Sequence, residues 1–192
     1  MSVRAHIHRT LHRLRADWKQ HAATLVLAWL AVVAVDTWRT RHLPQGPAPD
    51  AALAMAAGSQ TPATTTLDAW RAQHPGQAVA LHFWADWCAV CRLEEPSIAA
   101  LSADWPVLGI AMQSGDAARV AQVQQQRRMP WPTAVDPQGA LSRAWGVTAV
   151  PALVVLDGQG QVRFATVGYT PQWAMRLRLW WAEAVPAWQW VR

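Results

Sequence analysis

The apolar positions of this chain fall into three regimes. From Ala22 to Val35, fourteen consecutive residues carry no charge and are rich in Leu, Val and Ala. From Arg39 to Thr66 the periodic apolar spacing stops. Pro44, Pro47, Pro49, Gly58, Pro62 and the run Thr64 to Thr66 read there as a semi-extended linker. From Leu67 onward, apolar runs of strand length alternate with stretches of helical period. The expected organisation is a basic arm over 1–21, an anchor over 22–38, a Pro/Ala/Thr-rich linker over 39–65 and a folded domain over 66–192.

Within that domain the pattern predicts a compact strand at Ala78 to Trp84, a helix at Cys88 to Ala103 and a buried strand at Val107 to Met112. Asp116 is placed to cap a helix from Ala117 to Arg127. A short strand at Thr133 to Val135, a helix at Gln138 to Trp145 and a strand at Ala152 to Leu156 follow. Asp157 to Gly160 has turn chemistry, so Gln161 to Val167 returns as an antiparallel partner. Thr170 and Pro171 open a last helix running to about Val185. This β-α-β-α order, closed by a hairpin and a helix, predicts an α/β sandwich with a mixed sheet.

Charge changes the picture of possible partners. The whole excess of +5 lies in residues 1–41, where seven Lys/Arg face Asp17 and Asp36, and the rest of the chain is neutral. A phosphate-binding groove needs its excess on the folded domain, so no nucleic-acid partner is expected. The excess instead flanks the apolar run. Trp18 and Trp38 stand at its ends, as in an interfacial belt, which favours an uncleaved transmembrane anchor. A cleaved signal peptide is the alternative, although no A-x-A pattern closely follows Val35. Five Lys/Arg before the run and two after it leave the N-terminus in the cytoplasm and the domain exported, in an oxidising compartment. His6, His8, His12 and His21 lack a Cys or close carboxylate to complete a coordination set, and no metal site is expected there.

The candidate chemistry is Cys88-Ala89-Val90-Cys91, which directly follows an apolar strand and opens a helix. Residues three apart share a helix face, so the two sulfurs can meet. Free N–H groups and the dipole at a helix N-terminus favour a thiolate, which makes Cys88 the nucleophile and Cys91, one turn further in, the resolving thiol.

The run FWADWCAVC, Phe83 to Cys91, with Pro96 five residues later and Val150-Pro151 before a strand, resembles the signature of the thioredoxin superfamily. Cys91-Arg92-Leu93-Glu94-Glu95-Pro96 is similar to the CRxExP pattern of membrane-tethered, TlpA-like bacterial reductases. The anchor, Asp36-Thr37-Trp38-Arg39 and the WC-x-V-C motif together resemble the suppressor for copper sensitivity protein D group.

The resemblance implies a thioredoxin-like α/β fold, a central mixed sheet flanked by helices, here with an N-terminal transmembrane helix. It implies a cis peptide before Pro151 and a substrate groove of Trp87, Val150 and Pro151. It further implies protein disulfide substrates, a transmembrane thiol electron donor, and a single-pass inner-membrane protein with its catalytic domain in the periplasm. No cofactor is expected beyond the redox-active Cys88-Cys91 pair. Two departures stand out: Ala-Val separates the cysteines where the family often has Gly-Pro, and His82 replaces the usual buried acid six positions before the first cysteine. His82 and Glu94 are the candidate proton relays, each with a plainer alternative as a hydrogen-bonded core histidine and a solvated helix carboxylate.

Rival functions remain. Two thiolates select Cu(I) or Zn, so a copper-binding chaperone is the alternative, although no histidine follows His82 to act as a distant third ligand. A peroxidase would need a Thr-based pocket where Trp87 stands. The tail group Trp173, Trp180, Trp181, Trp188 and Trp190, with Arg176 and Arg178, suits either packing on the sheet or contact with a membrane or partner.

Overall fold

The computed structural model describes residues 3–58 and 62–184 and divides the chain into two units, Met1–Arg39 and Thr40–Arg192. Trp188 and Trp190 of the tail group lie outside the described residues.

The first unit is the bulk of one helix, α1 (Val3–Thr40). Among the described residues, its large apolar side chains Leu25, Val26, Leu27, Trp29 and Leu30 are exposed. The sequence reads 22–38 as an anchor; among the described residues no helix is long and apolar enough to cross a membrane.

The second unit starts earlier than the sequence suggests. Residues 39–65 are not a free linker: they carry β1 (Gly46–Pro47), β2 (Ala52–Ala54) and β3 (Thr64–Thr66). Leu43, Leu53 and Met55 are buried and hold this stretch against the domain, each contributing about 1.5–3 kcal/mol of apolar burial. Met55 bridges to Ala134, and the Ala56 N–H donates to the Thr133 carbonyl at 2.8 Å. Gly146, with φ of 65°, lets the chain cross at His42, because a Cβ there would run into the His42 carbonyl.

From Leu67 a short helix that the sequence reading does not single out, α2 (Leu67–Arg71), precedes the predicted elements, which form in order: β4 (Val79–Trp84), α3 (Ala89–Ser102), β5 (Val107–Met112), α4 (Ala117–Arg127), β6 (Thr133–Asp136), α5 (Ala140–Ala144), β7 (Ala152–Leu156), β8 (Gln161–Val167) and α6 (Gln172–Ala184). Asp116 caps α4 by accepting from the Arg119 N–H at 2.8 Å. Thr170 is not the cap expected for α6. Its hydroxyl faces Thr166 Oγ1 at 3.1 Å, and the helix opens at Gln172 with the Pro171 carbonyl accepting from Ala174 and Met175.

The main sheet has the order β1-β8-β7-β4-β5-β6. β4 pairs parallel with β5 and antiparallel with β7, so the sheet is mixed and β4 lies inside it, buried at every position. Ala80, Trp84, Val107 and Val155 meet Ile98 and Leu101 of α3, Val120 of α4 and Leu179 of α6 in one core cluster. On the opposite side Leu81, Phe83, Ile110 and Val154 pack with Leu67 and Trp70 of α2 and with Trp145. This layering fixes the C-terminal end of β4, where the cysteines follow.

Candidate active site

Ala85, Asp86 and Trp87 carry the chain from β4 into α3, and Cys88 occupies the N-cap position with extended backbone. Its sulfur takes the place of the usual capping oxygen and accepts the Cys91 N–H at 3.1 Å. Cys88 and Cys91 are joined as a disulfide. Cys88 retains 6% exposure and Cys91 none, so only the first sulfur is within a partner's reach.

The Val150–Pro151 bond is cis. The Val150 carbonyl oxygen lies 3.7 Å from Cys88 Sγ, and the Pro151 carbonyl accepts the Gly168 N–H at 2.7 Å. Trp87 is 58% exposed, with its indole N–H donating to the Gln113 carbonyl at 3.2 Å. Gln113 holds a left-handed backbone, φ 49°, that few non-glycine residues adopt.

Beneath the disulfide, Glu94 stands one helical turn beyond Cys91 and is buried, not solvated. Its Oε2 lies 3.1 Å from His82 Nε2, and its Oε1 accepts the Thr170 N–H at 2.6 Å. His82 Nδ1 is buried without a hydrogen-bond partner, as are the indole nitrogens of Trp84 and Trp131. His82 sits beside Gly109 in the β4–β5 register, and a Cβ at Gly109 would meet Thr133 Oγ1 at 2.5 Å and both indole nitrogens at 3.0 Å. The absence of a side chain at Gly109 therefore leaves room for this polar knot inside the apolar core.

All seven residues singled out in the sequence, Trp87, Cys88, Cys91, Val150, Pro151, His82 and Glu94, thus come together at one end of the sheet. Several that the sequence does not single out join them. Val90, Leu93 and Tyr169 are large and exposed around the disulfide: Val90 and Leu93 lie three apart on α3, and Tyr169 sits between Gly168, bonded to Pro151, and Thr170, bonded to Glu94. The i, i+3 spacing of Val90 and Leu93 is a signal that sequence reading can use. Nothing comparable points to Tyr169. Among the described residues, no group of three or more His, Cys, Asp or Glu is arranged to hold a metal ion.

A mixed sheet with helices on both faces, a cysteine pair at the helix tip after an internal strand, and a cis-proline loop against the first sulfur define the thioredoxin-like class. The chain belongs to the AhpC/TSA family, whose sequence model matches residues 44–165. It is 32% identical over 104 residues to a thioredoxin-like protein of Haemophilus influenzae, covering 54% of this chain and 62% of that protein. It is 35% identical over 82 residues to a thiol:disulfide interchange protein DsbE homolog of Paracoccus denitrificans, covering 43% and 46%. The chain therefore spans only about half to three-fifths of the length of these curated relatives. A crystal structure from Chlorobium tepidum, described as a thiol:disulfide interchange protein DsbE, superposes with a TM-score of 0.58 at 26% identity, covering 73% of this chain and 99% of that one.

Proposed function

We propose that this chain is a thiol-disulfide oxidoreductase that reduces disulfides in protein substrates. The observation that carries the reading is the placement of Cys88: its sulfur caps α3, accepts the Cys91 N–H and alone reaches the surface. In the reduced enzyme the Cys88 thiolate attacks a substrate disulfide, forming a mixed disulfide and expelling one substrate thiolate, which takes up a proton. Cys91 then gives up its proton and attacks Cys88 Sγ, re-forming the Cys88–Cys91 disulfide and releasing the second substrate thiolate, which is protonated in turn. Two electrons pass to the substrate, and the protein needs no redox group beyond its own sulfurs.

Glu94 and His82 are the proposed acceptors of the Cys91 proton, a role supported by Glu94 following Cys91 by one turn and pairing with the imidazole. Trp87, Val150 and Pro151 form the groove for the substrate backbone, with the Val150 carbonyl available for strand-like pairing.

The domain works outside the cytoplasm, tethered by the 22–38 segment to the bacterial inner membrane and recharged by a transmembrane thiol donor. Support for the tether comes from the positive-inside bias, the flanking tryptophans and the exposed apolar residues around α1. The reading as a carrier of Cu(I) is less favoured, because two sulfurs stand without a third donor among the described residues.

The test is the reduction potential of the Cys88/Cys91 couple, equilibrated against glutathione. A value below about −200 mV supports a reductase, whereas a value near −120 mV marks an oxidant.

A further inference from the structure

Asp86 and Glu95 flank the cysteine pair in sequence, the first two residues before Cys88 and the second four after Cys91. One guanidinium joins them. Arg127, the last residue of α4, donates from Nη1 to Glu95 Oε1 at 2.8 Å and from Nη2 to the Asp86 main-chain carbonyl at 2.8 Å. The pair is mostly shielded, with the Arg127 and Glu95 side chains 21% and 15% exposed, so these are charge-assisted bonds of the stronger kind. The rest of Asp86 is held as well: its N–H donates to Ser114 Oγ at 2.9 Å, and its carboxylate accepts from Arg119 at 3.2 Å.

We propose that Arg127 is a positioning residue: it closes the active-site turn as a clasp and holds Cys88 at the tip of α3 once the disulfide is open. In the oxidised protein the covalent bond already ties Cys88 to Cys91, and the clasp adds little to the geometry of the turn. Reduction breaks that bond. The contact of the Cys91 N–H with the Cys88 sulfur, which stabilises a thiolate, then depends on non-covalent ties across the turn, and Arg127 spans it from before Cys88 to after Cys91. The clasp therefore favours the reduced form over the oxidised one and raises the share of Cys88 present as thiolate. Lysine cannot replace it, because a single ammonium does not match two acceptors in the fixed fork of a guanidinium. The inference rests on the exchange chemistry proposed above, but its geometry involves neither His82 nor Glu94.

The experiment compares full-length wild type, Arg127→Ala, Arg127→Lys and Glu95→Gln by two readouts: the Cys88/Cys91 reduction potential and the pH profile of Cys88 alkylation. Arg127→Ala and Arg127→Lys are expected to shift the equilibrium toward the disulfide by about tenfold, about 30 mV more reducing, and to move Cys88 alkylation to higher pH. Glu95→Gln keeps an acceptor oxygen and stays near wild type. If Arg127→Ala does not fold, Glu95→Ala severs the same clasp from its other end and is read in the same way. A lower melting temperature with unchanged potential and alkylation profile would make Arg127 a stability contact only and overturn the proposal. A wild type that fails to reduce any protein disulfide would instead overturn the functional reading, while the alkylation profile still judges the clasp.

Discussion

Glu94 and His82 meet at 3.1 Å, both buried, one on α3 and the other on β4. A carboxylate in that position has lost its water, and its remaining oxygen is satisfied by the Thr170 N–H just ahead of α6. One side chain thereby ties together the helix bearing Cys91, an internal strand and the entry to the last helix. Such an arrangement suits a proton acceptor shielded from solvent, and it is costly to disturb.

Glu94→Gln keeps the shape and an oxygen for Thr170 but removes the carboxylate proposed as the base. The attack of Cys91 on the mixed disulfide should slow by about 10²-fold, with the first attack by Cys88 unaffected, as read by single-turnover quench of the mixed disulfide. Unchanged resolution would reduce Glu94 to a structural role. Glu94→Ala leaves the Thr170 N–H unpaired and should cost about 1–3 kcal/mol in denaturant unfolding.

The rim of the site is apolar. Trp87, Val90, Leu93 and Tyr169 are 58%, 43%, 72% and 56% exposed, although large side chains of this kind are normally covered. Leu93→Glu or Tyr169→Ser should raise KM for a protein substrate about fivefold, the equivalent of about 1 kcal/mol of lost contact, with kcat retained. Equal losses in kcat and in kcat/KM would place these residues in the chemical step rather than in docking.

How much of this was legible in the sequence depends on distance along the chain. β4, α3, β5 and α4 follow from local periodicity and from Asp116 as a cap, and the cysteine site follows from a motif of a few residues. The segment before Leu67 reads as a linker because strands of two or three residues show no period, and Leu43, Leu53 and Met55 are scattered among Pro, Ala and Gly. The burial of Glu94 was equally hidden. A glutamate flanked by Leu93 and Glu95 reads as solvated until the sheet brings His82 beneath it and Thr170, 76 positions away, above it. Arg127 reaches Asp86 across 41 positions, a contact no local pattern encodes.

His74 gives the protein a pH dependence away from the cysteines. Burial lowers its pKa below the ordinary 6.5, with its ring edge-on to Trp70 at 5.1 Å. The unfolded chain therefore takes up the proton more readily than the folded one, and stability falls as pH drops through 6.5 until His74 is also charged in the fold. His74→Gln should flatten that part of the curve of unfolding free energy against pH. An unaltered slope would assign the acid sensitivity to other groups.

The most direct test of the whole account is to challenge Cys88→Ser and Cys91→Ser separately with an excess of a disulfide-bonded protein and to separate the products without reductant. The account predicts that Cys91→Ser accumulates a stable intermolecular disulfide through Cys88, while Cys88→Ser forms none and exchanges no faster than a free thiol. Exchange at the wild-type rate by Cys88→Ser, with no trapped species from Cys91→Ser, would contradict it.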